Sequence, residues 1–242
     1  MKFGFLTTLY DPLLPLNIVN AIQFDIKQIV VICDPKHWNE KDQLIWKKRT
    51  NGIIDYNNGE IVKKISKKKL PIPFYFVNSH NSKQTLNLIK KLNIKCLFAC
   101  GTPRRLSKKI INSTKYGIIN CHPGYLPSYR GCTNVEWAIY NNDKVGNSVH
   151  FLDEGYDTGP IILKEYYYFT KKDSYQTIRV KVYRRGARLA AKAMKLIKEK
   201  KISFRNMQSQ KISDGKFWVP ISDYKYKQVL KKIKLNKYKY IK

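Results

Sequence analysis

Short apolar runs alternate with segments of helical period through most of this chain, and that alternation leaves few architectures open. "KFGFLTT" (Lys2 to Thr8) and "IVVIC" (Ile29 to Cys33) stop at turn residues and read as strands buried on both faces. Between them, "LPLNIVNAIQF" carries apolar residues at helical spacing. "FYFV" (Phe74 to Val77), "IKCLFACG" (94–101) and "GIINC" (117–121) extend the strand series. "NSKQTLNLIKKL", which opens on a cap at Asn81 or Ser82, and "SKKIINST", with Ser107 as its cap, supply helices between them. Residues 52–70 are less regular, with a turn at Asn57, Asn58 and Gly59. "TNVEWAIYNN" suits a helix and "GNSVHFLDEG" alternates like a strand. A long helix over 173–200 starts at Asp173 and Ser174 and sets Ile178, Val182, Leu189, Ala193 and Leu196 at helical intervals. The pattern predicts an α/β fold with a doubly wound, mostly parallel sheet, in which ligands sit beyond the carboxyl ends of the strands.

From Ile202 the character changes. "FRNMQSQKISDGKFWVPISDY" reads as a hairpin about Asp214 and Gly215, because Asp-Gly is a strong short turn signal. The last stretch, "KYKQVLKKIKLNKYKYIK", is basic and weakly amphipathic, a peripheral helix or frayed tail. The expected organisation is one large domain over 1–200 and a small hairpin and tail module over 201–242, a candidate dimerisation element.

The chain has 47 Lys and Arg against 17 Asp and Glu, a formal charge of +30. Such a charge suits a polyanion. Here, however, the excess is mostly Lys spread along the chain among Ile, Asn and Tyr, so a solvated basic surface is expected and nucleic acid is not the favoured partner. The five cysteines, Cys33, Cys96, Cys100, Cys121 and Cys132, lack the paired spacings of a zinc site and read as buried free thiols, with no metal expected. Asp11, Pro12 and Pro15 break the N-terminal apolar stretch, and no run approaches the roughly 20 apolar residues of a membrane span. A cytoplasmic protein without membrane contact is expected.

Asn120 and His122 stand one residue apart at the end of "GIINC", and Pro123 pushes His122 toward extended backbone. On an extended chain the two side chains project to one side, so an amide donor and an imidazole could converge on one carbonyl. A turn that ties down a strand end would use the same residues. "HFLDEGYDTGPII" adds Asp153, Glu154 and Asp157 beside Gly155 and Gly159, an acidic loop between two apolar strands. A carboxylate brought near His122 would raise its pKa and orient its ring.

Taken together, Asn120-x-His122-Pro123, Leu126-Pro127, Arg130-Gly131 and Asp157-x-Gly159 resemble the formyltransferases that use 10-formyltetrahydrofolate. The resemblance implies a Rossmann-like domain and a catalytic set of Asn120, His122 and Asp157 acting without a metal or a covalent enzyme intermediate. Asn120 would steady an oxyanion, His122 would stabilise it or handle the amine's proton, and Asp157 would set the charge of His122. It further implies a folate pocket lined, largely through backbone, by Arg104, Arg105, Leu106, Asp153, Glu154, Gly155 and Tyr156.

The family's members differ in the amine they formylate. Methionyl-tRNA formyltransferases carry a C-terminal β-barrel, and the roughly forty residues after the long helix are too few for one. Glycinamide ribonucleotide formyltransferases resemble the chain in length but carry a Gly and Ser rich phosphate loop where this chain reads "TTLYDPLLPLN". "NCHPGYLPSYRG", "VEWAI" and "HFLDEGYDTGPI" look most like the sugar N-formyltransferases that act on nucleotide-linked amino sugars. The implied substrate is a dTDP-linked 4-amino-4,6-dideoxyhexose (dTDP-4-amino-4,6-dideoxyglucose) used for surface polysaccharide such as O-antigen, and the implied assembly is a homodimer. Tyr125, Tyr129 and Trp137 are candidates to stack on a base or hexose.

Overall fold

The computed structural model describes residues 1–9, 11–36, 39–54, 72–102, 105–199 and 202–242. Arg104 and the turn expected at Asn57 to Gly59 lie outside them. In chain order the strands are β1 (Phe3–Thr8), β2 (Ile29–Asp34), β3 (Phe74–Phe76), β4 (Cys96–Ala99), β5 (Ile118–His122), β6 (Tyr129–Gly131), β7 (Gly146–Phe151), β8 (Ile161–Tyr166) and β9 (Lys216–Trp218). The helices are α1 (Leu14–Gln23), α2 (Glu40–Thr50), α3 (Lys83–Lys91), α4 (Lys108–Ile111), α5 (Asn134–Tyr140), α6 (Tyr175–Lys198) and α7 (Asp223–Lys234).

Among the described residues the main sheet has seven strands in the order β3-β2-β1-β4-β5-β7-β8. It is parallel from β3 to β5, and β7 and β8 run antiparallel at the far edge. Strand alternation divides the core. Phe3, Phe5, Val31, Cys96, Phe98 and Ile119 pack against α1 and α6, while Leu6, Val30, Ile32, Leu97, Ala99 and Ile118 face α3 and α4. Burial on both faces is what made these strands unbroken apolar runs. Ser82 caps α3 and Ser174 caps α6, each accepting from a backbone N–H three residues on, at 3.2 Å. Asn81 does not cap. It braces the neighbouring segment instead, its side chain bonding Arg105 O at 2.9 Å and Ser107 N at 2.7 Å. Among the described residues no helix is long and apolar enough to cross a membrane.

A small second sheet is present, but it is not the hairpin expected about Asp214 and Gly215. β9 pairs in parallel with β6, a strand near the middle of the chain. Residues 202–211 form no strand that could return beside β9. The glycine of the Asp-Gly pair serves close packing: a Cβ there would come within 1.8 Å of the Pro127 carbonyl oxygen. Trp218 stacks on Tyr129 with centroids 5.4 Å apart and meets Trp137 at 4.7 Å. Tyr129 and Trp137 are therefore core residues, 4% and 7% exposed, which corrects their reading as ligand-stacking candidates.

The basic tail is also not frayed. Val229, Ile233 and Tyr238 are buried in a third apolar cluster with Val135, Ile139, Tyr167, Phe169 and Tyr175. The Tyr238 hydroxyl donates to Asp143 O at 2.6 Å and accepts from Val145 N at 3.2 Å. Tyr238→Phe is expected to cost about 1 kcal/mol, because the Val145 N–H is left without its partner; urea unfolding checks this. Of the cysteines, Cys33 and Cys96 are buried, Cys100 and Cys121 are half-buried, and Cys132 is exposed, contrary to expectation. Burial pushes the Cys33 and Cys121 thiols up to about 12, so both stay protonated at neutral pH.

Candidate active site

Order reverses between β1 and β4, and the carboxyl ends of the parallel strands there form the edge at which a doubly wound sheet accepts ligands. Asn120 and His122 end β5, one strand further along. Because residues two apart on a strand share a face, both lie on the same side of the sheet. Cys121 and Pro123 take the opposite side, where with Asn17, Cys100, Asn147 and Tyr183 they line a cavity of about 200 Å³.

His122 is 4% exposed. Its Nε2 lies 2.8 Å from the carbonyl oxygen of Tyr129 and 2.9 Å from the Asn134 amide, and its Nδ1 lies 3.4 Å from Asp157 Oδ1. Tyr129 O and the Asp157 carboxylate only accept, so a ring that donates to both is protonated, whereas a neutral ring keeps its hydrogen on Nδ1 toward Asp157 and accepts at Nε2 from Asn134 Nδ2. Burial opposes that charge and outweighs the pull of Asp157, holding His122 below its ordinary 6.5; the nearby His150 acts in the same direction as burial. The site thus balances a proton between a ring that burial discharges and a carboxylate that attracts it.

Asp157 stands at φ 55, in the left-handed region. Its Oδ2 accepts from Gly131 N at 2.9 Å, and its Oδ1 also faces His150 Nε2 at 3.6 Å. Burial alone would raise its pKa, but His122, His150 and the Gly131 N–H together bring it down to about 2, so the group is a carboxylate at neutral pH. The loop before it is shaped by Asp153, whose Oδ1 accepts from Gly155 N at 3.0 Å and from Thr158 Oγ1 at 2.7 Å.

His150 is a member of the cluster that sequence reading missed. It is fully buried on β7, directly opposite Asn120 in the antiparallel pairing, and beside a register shift between β7 and β8. Its Nδ1 is 2.8 Å from Phe151 O, and its Nε2 is 3.3 Å from Asn120 Nδ2. Bulges next to active sites commonly re-aim a side chain. Asn134 and the Tyr129 carbonyl were missed as well. Neither has a local signal, since both reach His122 only through the fold.

Gly124 lets the Tyr129 carbonyl approach: a Cβ there would sit 2.5 Å from both His122 Nε2 and Tyr129 O. Gly124→Ala is expected to cost about 1–3 kcal/mol by overpacking and to turn His122 away from Asp157. Thermal unfolding together with the histidine NMR titration would check both effects.

Of the other expected site residues, Arg105 and Tyr156 meet, the guanidinium standing 4.9 Å over the ring, and Lys108 bonds Glu154 at 2.8 Å. The segment after β4 and the loop after β7 therefore form one wall. The Leu106 side chain points away into the core at 5% exposure, leaving only its backbone to face the wall. The Asp153 carboxylate is spent on the loop's own turn. Among the described residues no group of three or more His, Cys, Asp or Glu side chains is placed to hold a metal ion.

A sheet of this order with an Asn, His and Asp cluster at its carboxyl edge describes a class, and comparison with known proteins names it: residues 16–195 match the formyl transferase family model. The chain belongs to the formyl transferase family. A methionyl-tRNA formyltransferase of Caldanaerobacter subterraneus subsp. tengcongensis is 32% identical over 123 residues, 50% of this chain and 40% of that protein. This chain spans less than half the length of the curated relatives it matches. In fold it is similar to glycinamide ribonucleotide transformylase 1 from Symbiobacterium toebii, with a TM-score of 0.63 and 17% identity over 87% of this chain and 93% of that one. It is also similar to a sugar N-formyltransferase from Shewanella sp. FDAARGOS_354, with a TM-score of 0.60 and 17% identity over 93% of this chain and 78% of that one. At these identities the likeness is one of fold.

Proposed function

We propose that this chain is an N-formyltransferase that moves a formyl group from 10-formyltetrahydrofolate to the amine of a nucleotide-linked amino sugar. The observation that carries the reading is the meeting of Asn120, His122 and Asp157 at the ligand edge of the sheet, with Asp157 ionised and 3.4 Å from His122. The donor supplies an activated formyl group when bound. The residues present suit it: the wall of Arg105, Leu106 and the loop from Asp153 to Tyr156 offers backbone groups to a ring rich in donors and acceptors, and Arg105 offers a cation to its carboxylates. Asn120 supplies an amide donor to oxygen that gains negative charge. His122, paired with Asp157 at Nδ1, holds or releases the proton that an attacking amine must lose.

A dTDP-linked 4-amino-4,6-dideoxyglucose, as used for O-antigen, is the specific acceptor proposed. The turn after β1 supports a preference over glycinamide ribonucleotide. There Asp11, 5% exposed, takes the Leu13 N–H at 2.9 Å and the Thr7 hydroxyl at 3.0 Å, so the donors that a phosphate would need are already bonded to a carboxylate. The exposed Ile212, Phe217, Val219 and Tyr224 support a homodimer formed through the module over 201–242, which a sedimentation measurement would test. A second reading, methionyl-tRNA as acceptor, is favoured by the sequence relatives, which are methionyl-tRNA formyltransferases, and by the charge of +30.

Formyl transfer by the full chain to a panel of nucleotide amino sugars, glycinamide ribonucleotide and methionyl-tRNA separates these. His122→Asn is expected to reduce transfer about 100- to 10,000-fold while sparing nucleotide-sugar binding. A parent protein that formylates no sugar, but binds RNA with a steep salt dependence, would sink the sugar reading.

A further inference from the structure

Gln210 lies beyond the residues that the family model matches, 16–195, yet its side chain reaches the catalytic loop. Its Nε2 donates to Asp157 O at 3.0 Å and to Gly159 O at 2.6 Å. The amide orientation is fixed, because turning it would set Oε1 against two carbonyl oxygens; as it stands, Oε1 is buried and unpartnered. One of the two carbonyls it holds belongs to Asp157 itself, which stands at φ 55, a left-handed conformation that costs energy for a residue with a Cβ.

The segment around Gln210 is itself pinned to the motif. Arg130, 6% exposed, donates through Nη2 to Ile212 O and Gly215 O, both at 2.9 Å. The next residue, Gly131, donates its N–H to Asp157 Oδ2. A closed circuit therefore runs from Arg130 through residues 210–215 to Asp157 and back to Gly131. Phe204 closes the other side, packing edge-on against Phe151 at 5.7 Å.

We propose that Gln210 is a positioning residue, which fixes the backbone of residues 157–159 so that the Asp157 carboxylate faces His122 and His150. The titratable groups that face His122 are Asp157 from the loop and His150 from β7; its other contacts, the Tyr129 carbonyl and the Asn134 amide, do not titrate. Only the kinetic part of the test rests on the formyl-transfer reading.

Gln210→Met keeps the side chain's bulk and removes its donor. In the full chain, the NMR titration midpoint of His122 is expected to fall toward that of Asp157→Asn, because the carboxylate that raises it swings away. Donor kcat is expected to fall about 10- to 100-fold with KM little changed, and Asp157→Asn with Gln210→Met should be no slower than Asp157→Asn alone. An unchanged His122 midpoint in folded Gln210→Met, or losses that multiply in the double variant, would show that Gln210 only packs. If the parent transfers no formyl group while Gln210→Met still moves the His122 midpoint, the positioning stands and the reading of the reaction falls. A melting scan fixes the temperature below which each variant is titrated.

Discussion

Asp157→Asn is expected to lower kcat for formyl transfer about ten-thousandfold, the order found when the carboxylate that orients a catalytic imidazole is replaced by an amide. The geometry gives the reason. Asp157 accepts on both oxygens, from Gly131 N on one side and facing His122 Nδ1 on the other. An amide that keeps its oxygen on Gly131 N must turn its NH₂ toward Nδ1, which then has to accept. The proton is excluded from the nitrogen at which it is needed. The carboxylate is also the group that raises the His122 pKa against burial, so its loss moves the acid limb of kcat/KM to lower pH. A variant within threefold of the parent, with an unmoved acid limb, would remove Asp157 from the mechanism.

The same shifts set the stability profile. Asp157 is depressed to about 2, so its contribution is complete above the ordinary carboxylate range and lost as pH falls through 2. His122 is buried and also depressed, so its contribution is complete above 6.5 and lost as pH falls through 6.5 to its folded value. Both act in one direction, so acidification from neutral pH destabilises the fold.

The second large effect lies away from the site. Glu136→Ala is expected to destabilise the protein by about 3–5 kcal/mol, read from urea unfolding. Glu136 on α5 and Arg179 on α6 are each 2% exposed, their charged atoms 3.5 Å apart, with Arg49 Nε at 3.9 Å from the carboxylate and the Tyr175 hydroxyl bonded to it at 2.5 Å. Burial alone would raise the carboxyl pKa, but Arg179 and Arg49 bring it below its usual range. Removing the carboxylate leaves Arg179 charged in the interior with no counter-charge bonded to it among the described residues, its guanidinium donating to the Tyr183 hydroxyl. The carboxylate's own contribution persists above about 4.5 and disappears as pH falls through its lowered pKa. Glu136 belongs to "VEWAI", one of the stretches that carry the resemblance to the sugar N-formyltransferases. The structure gives it a clear structural duty: holding α6 to α5.

What the sequence determined by itself was local. Strand and helix periods, the Ser82 and Ser174 caps and the unbroken apolar runs of a two-sided sheet follow from residues within one or two turns of each other, and the structure bears them out. The spacing of Asn120 and His122 also sets them on one face of a strand without any knowledge of its neighbours. The tertiary structure decided everything that depends on which strand lies beside which. His150 enters the site only because β7 pairs antiparallel with β5 in the register that puts it opposite Asn120. Asp214 and Gly215 signal a hairpin, yet β9 takes β6 as its partner, since a turn propensity worth little is overridden by stacking Trp218 between Tyr129 and Trp137. The tail reads as weakly amphipathic, yet it docks because Val229, Ile233 and Tyr238 find an apolar cluster built from residues roughly fifty to a hundred positions earlier. Gln210 carries no mark in the sequence. Its role comes from two carbonyl oxygens that the chain set in place more than fifty residues before it.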